Sequence, residues 1–173
     1  MTTIISGTNR PDNYTISIAS LFSEMLTGLG VQNQVLDLRA LPKDFAFNDL
    51  YDSKSPTFES IIRQYITEAD KFIFIAPEYN GSIPGVLKTF IDGIPPKYWT
   101  DKKALLIGLS DGHAGNMRGL EHLTGILHYL KVHVHYNKTK LSYIGKSFDR
   151  NALQADDRTD QQLRRQAQYA AAY

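Results

Sequence analysis

The chain has 173 residues, 42% hydrophobic and 21% charged, which suits one globular domain able to bury roughly two-thirds of the surface its unfolded chain exposes. Nineteen Lys and Arg against 18 Asp and Glu leave a formal charge of +1, which gives nucleic-acid binding no support. The absence of cysteine excludes disulfides, thiolate nucleophiles and Cys-ligated zinc or iron-sulfur centres, so any redox chemistry has to come from an organic cofactor.

Met1 to Ser6 lacks the basic and apolar regions of a signal peptide, and no apolar run reaches the length of a membrane helix, so a cytoplasmic location is expected. Short apolar runs then alternate with amphipathic stretches, the pattern of βα units around a parallel sheet. Thr2 to Ser6 reads as a first strand. Tyr14 to Leu29 reads as a helix with Ile16, Ala19, Leu21, Phe22, Met25, Leu26 and Leu29 at helical spacing, ended by Gly30. Asn33 to Leu38 is a second strand, and Arg39 to Lys54 is too irregular for a helix and is expected to be a surface loop. Ser55-Pro56 forms a cap-and-proline start for a helix to Ala69, with Phe58, Ile61, Ile62, Tyr65 and Ile66 inward.

Lys71 to Ala76 is almost continuously apolar, as a central strand covered on both faces should be. Pro84 opens a third helix to about Gly93, where Pro95-Pro96 forbids its continuation. Lys103 to Leu109 is the fourth strand, Arg118 to Leu130 a helix, Val132 to Tyr136 a fifth strand and Asp160 to Ala172 a closing helix. Lys138 to Asp157 is a weakly defined return. With no repeat or linker, residues 1–173 read as a single domain.

In an open parallel sheet, ligands bind beyond the carboxyl ends of the strands. Three polar, glycine-bearing loops lie there. The first, Gly7 to Thr15, offers hydroxyls at Thr8 and Thr15, an amide at Asn13, the Arg10 guanidinium and backbone N–H groups at a helix start, the donors a phosphate needs. Neither G-x-x-x-x-G-K-[ST] nor G-x-G-x-x-G occurs in it, which argues against ATP and a Rossmann-bound dinucleotide. A capped βα turn facing water explains the same residues. The second loop, Pro77 to Ser82, has backbone N–H groups around Asn80 and Gly81 that suit ring heteroatoms and a tyrosine, Tyr79, that can border a flat ligand; an Asn-Gly turn before a proline-started helix is the plainer reading. The third, Ser110 to Asn116, can wrap a planar ring or serve only as a helix entry, and His113 there can be merely solvated. His133 and His135 can share a strand face, but no third ligand is evident nearby, so no metal is expected.

Taken together, these loops resemble those of the NADPH-dependent FMN reductase family, which includes related quinone and azo-dye reductases. The strongest piece is P-E-Y-N-G-S-I-P-G-V-L-K from Pro77 to Lys88; the second is G-T-N-R with Asn13 and Thr15, where the family's first hydroxyl is Ser rather than Thr8. The resemblance implies a flavodoxin-like three-layer α/β sandwich with a five-stranded parallel sheet in the order 2-1-3-4-5. It implies that Thr8, Arg10, Asn13 and Thr15 hold the FMN phosphate, that Pro77, Glu78, Tyr79, Asn80 and Gly81 line the isoalloxazine, and that Ser110 and Gly112 close its other edge. His113 and Asn116 stay open as contacts. The implied reaction is hydride transfer from NAD(P)H to flavin, then electron delivery to a small acceptor, with no catalytic protein residue required. A flavodoxin-type electron carrier is the alternative, though a near-neutral chain lacks the strongly acidic docking face such a carrier presents; a non-redox flavin-sensing module is a third. The family also implies a homodimer or homotetramer through the helix bearing Val86, Leu87, Phe90 and Ile91, although an apolar face at that spacing is more often simply core.

Overall fold

The structure is a computed structural model, and it describes residues 1–51 and 53–173. Strands β1 (Thr2–Ser6), β2 (Asn33–Asp37), β3 (Lys71–Pro77) and β4 (Lys103–Leu109) form a parallel sheet. Its order is β2-β1-β3-β4-β5, with β5 (His133–Val134) at the far edge. The strand order reverses direction between β1 and β3, so the loops leaving these two strands face each other across a crevice.

Alternate residues of each buried strand serve opposite helical layers, as the two-residue period of a strand requires. Ile4, Ile73, Ile75, Leu105 and Ile107 pack under α1 (Tyr14–Gly28) and the closing helix, α7 (Asp157–Ala172). Ile5, Phe72, Phe74, Ala104 and Leu106 pack on the other face under α3 (Pro56–Ile61), α4 (Gly85–Asp92) and α5 (Met117–Tyr129). Trp99, fully buried, lies against Phe72 and Phe74 with ring centroids 5.0 and 6.2 Å apart.

Three expectations are corrected. The Arg39–Lys54 stretch is not simply a surface loop: a 3₁₀ turn at Leu38–Ala40 and a short helix α2 (Phe45–Asn48) fasten it to the core through Leu41 and Phe45, because those apolar side chains are buried. Asp52 of that stretch lies outside the described residues. The helix expected through Ala69 is α-helical only to Ile61 and continues as a π-helix over Ile62–Thr67, while keeping Phe58, Ile61, Ile62 and Ile66 inward.

The third correction concerns the fifth strand, which is split. After β5, His135 N–H still bonds the Ala104 carbonyl, but Asn137 N–H turns back to His135 Nδ1 (3.2 Å), which breaks the ladder. A second piece, β6 (Thr139–Leu141), resumes parallel pairing with β4 at Ile107–Leu109. The return beyond it is ordered as α6 (Ile144–Ser147) and a small hairpin of β7 (Phe148–Asp149) and β8 (Gln154–Ala155). Buried Ile144 and Phe148 anchor this segment beside the carboxyl end of β4.

Candidate functional site

A cleft of about 570 Å³ opens at the carboxyl end of the sheet, between the loops that follow β1, β3 and β4. It is lined by Arg10, Asn13, Thr15, Pro77, Glu78, Tyr79, Asn80 and Ser110, all expected from sequence, and its size falls in the range of small-molecule sites. Thr8, Gly81 and Gly112 are not among its lining residues.

The first loop enters α1 with Asn13 as N-cap. Its Oδ1 accepts from Ile16 N–H at 2.9 Å, and its amide donates to the Arg10 carbonyl at 2.6 Å, which leaves one amide proton for a ligand. Thr8 is fully buried; its Oγ1 lies 2.9 Å from the Tyr79 hydroxyl and accepts from Arg10 N–H at 3.3 Å. Thr8 therefore joins the first loop to the second from behind the cleft wall. Thr15, in the first turn of α1, is 1% exposed, lines the cleft, and has no hydrogen-bond partner for its Oγ1 among the described residues. A buried hydroxyl in that condition costs free energy unless something enters to satisfy it. The first turn of α1 also carries no acidic side chain, so the positive end of its dipole is uncompensated, whereas that of α7 holds Asp157 and Asp160.

The second loop is a two-residue hairpin. Tyr79 and Ser82 exchange both backbone hydrogen bonds at 2.9 and 3.0 Å, and the residues between them, Asn80 (φ 51°) and Gly81 (φ 74°), are both left-handed, as a type I′ turn demands. The tight turn is thus also part of the cleft wall, through Tyr79 and Asn80. Among the described residues, the N–H groups of Asn80 and Gly81 have no acceptor, while Glu78 N–H is engaged by the Leu109 carbonyl.

The third loop is held from inside. Ser110 Oγ donates to the Gly112 carbonyl and accepts from Gly115 N–H, both at 2.9 Å, so this hydroxyl closes its own loop. Asn116 is fully buried and donates to the carbonyls of Ala76 and Pro77, each at 3.0 Å, tying this loop to the end of β3. Gly108 makes this packing possible: a Cβ there would stand 2.3 Å from the Gly115 carbonyl oxygen. His113 is exposed and contributes its carbonyl to Ser142 Oγ.

The cleft also includes Asp12, Tyr14, Leu109, Asp111, Ile144 and Arg150, which sequence reasoning did not find. The first four lie in or beside the expected loops. Ile144 and Arg150 come from the return after β6, whose weak periodicity carries no sign of where it packs.

Residues 2–141 match the family model described as NADPH-dependent FMN reductase. Among curated proteins, the chain is 34% identical over 144 residues to an NAD(P)H:quinone oxidoreductase of Solanum tuberosum, covering 78% of this chain and 71% of that protein. It is 31% identical over 169 residues to an NAD(P)H-dependent FMN reductase of Pseudomonas aeruginosa, covering 95% of this chain and 89% of the other. The fold is shared with the flavoenzyme NAD(P)H:(acceptor) oxidoreductase of Paracoccus denitrificans, with a TM-score of 0.83, 21% identity, and 99% and 95% of the two chains covered. The family model and the sequence relatives place this chain in the NADPH-dependent FMN reductase family.

Proposed function

We propose that the cleft seats FMN with its phosphate on the first loop and the amino end of α1, and its ring against Pro77–Asn80. The observation that carries this is the buried, unpartnered Thr15 hydroxyl, which lines, together with Arg10, a cleft at a helix start whose first turn has no acidic side chain. Arg10, the remaining Asn13 amide proton and Thr15 hold the phosphate; Thr8 acts from behind by fixing Tyr79 and the Arg10 backbone. The N–H groups of Asn80 and Gly81 are the donors available to the ring edge. Ser110 lines the opposite rim directly, and Gly112 supports it from behind by accepting the Ser110 hydrogen bond. Bound FMN supplies the redox chemistry, accepting hydride from NAD(P)H and passing electrons to a quinone or free flavin, the acceptor class that the relatives' names support. The chain's own part is to orient the ring and leave one face accessible, and no side chain is assigned as catalytic.

Purified protein should be yellow and release FMN, not FAD, on denaturation, since one phosphate-binding loop is present. Colourless protein that takes up no added FMN would refute the reading.

The expectation of a homodimer or homotetramer shifts in detail. Leu87, Phe90 and Ile91 of α4 are core residues, at most 2% exposed. What remains outward is a groove between α4 and α5 formed by the exposed Tyr129 and the part-buried Ile126 and Leu130, with Lys88, Asp92 and Glu121 along it, and this is the face we assign to self-association. Sedimentation should show a species larger than a monomer at micromolar concentration. No helix of the described residues is long and apolar enough to cross a membrane, and the reading adopted is a single cytoplasmic domain.

A further inference from the structure

We propose that Arg150 is a second phosphate-binding residue of this cleft, in reserve on an ion pair with Asp12; the inference rests on the reading that the first loop seats FMN. Arg150 lies beyond residues 2–141, the part of the chain that the family model matches. It is brought to the site by the β7–β8 hairpin and lines the same cleft as Arg10, Asn13 and Thr15.

Its position is fixed by three contacts. The guanidinium carbon stands 4.4 Å from the centre of the Tyr14 ring, and Tyr14 is the first residue of α1. One guanidinium nitrogen pairs with Asp12, in the loop just before that helix. The backbone of Arg150 starts a turn in which Asp149 accepts from Asn151 N–H at 2.8 Å and Ala152 N–H at 3.2 Å, next to buried Phe148. The cation is therefore held against the amino end of α1, where the Thr15 hydroxyl also lacks a partner.

Charge decides which partner the guanidinium prefers. A phosphate monoester carries close to two negative charges at neutral pH, and a planar guanidinium can bind two of its oxygens. Asp12 offers one charge, and its side chain is 85% exposed, so the existing pair is worth little and is easily given up. Stacking on Tyr14 survives the exchange, because it engages the face of the guanidinium and the phosphate engages its edge. Arg10 and Arg150 together would neutralise the dianion, with Asp12 returned to water.

The test compares FMN with riboflavin, the same ring without phosphate, by fluorescence titration of flavin-free protein. Arg150→Ala should weaken FMN binding by about tenfold, the low end for a charge-assisted hydrogen bond, and leave riboflavin binding unchanged. Asp12→Asn should act in the opposite direction, strengthening FMN roughly two- to fivefold by removing a weak competitor, again without effect on riboflavin. Equal losses of both flavins in Arg150→Ala would make the residue a prop of the hairpin and overturn the proposal, as would an Asp12→Asn variant whose FMN affinity does not rise. Arg10→Ala separates the two levels of the argument. If it lowers the FMN-to-riboflavin ratio while Arg150→Ala does not, only the role of Arg150 fails; if neither variant alters the ratio, the phosphate site itself fails.

Discussion

The two ends of the sheet are built from similar residues but treat their polar groups in opposite ways. At the amino end, lysines are engaged by backbone carbonyls and the terminal ammonium by a carboxylate. Lys102 Nζ donates to the Thr67 carbonyl at 3.1 Å and also to that of Ile66, Lys71 Nζ to the Ala170 carbonyl, and the terminal ammonium of Met1 to Asp70 at 2.7 Å. Burial holds the Lys71 and Lys102 ammonium groups below their ordinary pKa, further lowered at Lys71 by Lys103 and partly offset at Lys102 by Asp70. At the carboxyl end, Thr15 Oγ1 and the N–H groups of Asn80 and Gly81 have no partner among the described residues, and an arginine stands in a surface ion pair. One end engages its cations within the protein, with the buried Trp99 Nε1 left as an unpartnered donor; the other leaves donors free in the cleft wall. Stability and binding should therefore respond to different substitutions.

The largest effect should be on stability alone. Trp99→Ala removes a fully buried indole packed at a tilt against Phe72 and Phe74 at the amino end, and should cost about 3–5 kcal/mol of unfolding free energy. Denaturant unfolding measures it. The FMN affinity of the folded fraction should stay unchanged, and a parallel loss of both would erase the contrast between the ends.

Arg10→Ala should do the reverse, weakening FMN binding by about 1.5–3 kcal/mol, the range for hydrogen bonds to charged groups, with the unfolding midpoint of the flavin-free protein unmoved. Unaltered flavin affinity would return Arg10 to the role of a solvated loop residue.

Gly108→Ala sharpens the boundary, because it sits inside β4 yet supports the third loop. The new methyl meets the Gly115 carbonyl oxygen at 2.3 Å, so the loop has to shift, at a cost of about 1–3 kcal/mol in stability. Flavin binding should fall as well, since Ser110 and Asp111 move with the loop. A stability loss without any change in binding would show that this rim is dispensable.

The smallest effect lies in the acid limb of the stability profile. The Asp70 carboxyl is held below its ordinary pKa by the hydrogen bond and charge of the terminal ammonium. A carboxyl lowered in the folded state adds stability above its unfolded pKa and loses it as the pH falls through the folded value. Asp70→Asn should therefore flatten unfolding free energy against pH slightly below about pH 4, by a few tenths of a kcal/mol, because the pair is exposed. A stability difference between the two proteins that did not shrink as the pH falls below about 4 would contradict this assignment.

How much of this was readable from the chain follows the range of each interaction. Thr2–Ser6 and Lys103–Leu109 fall where their apolar runs place them, because strands covered on both faces leave a continuous signature. The Asn80-Gly81 turn was readable because only residues that tolerate positive φ form it. The split of the fifth strand was not: it depends on His135 Nδ1 accepting from Asn137 N–H and on Thr139 Oγ1 and the Asn137 amide both donating to Gln166 of α7, 27 and 29 residues away. Ile18, fully buried, was missing from the expected face of α1, while Leu29, placed on it, is 46% exposed past the helix end. Arg150 lies 138 residues from its partner Asp12, and nothing local to either residue announces the other. Sequence pattern reveals which loops are polar; the fold alone decides which of their donors are left unengaged.

The central claim, that the carboxyl end presents FMN to freely diffusing nicotinamide, is tested most directly by mixing the FMN-loaded protein with NADPH or NADH under anaerobic conditions and following flavin absorbance near 450 nm. The account predicts rapid bleaching with at least one of the two, without a partner protein, and return of the oxidised colour when a quinone or free flavin is added. Bound FMN that neither nicotinamide reduces over minutes, although dithionite does, would contradict it and leave this cleft the site of an electron carrier.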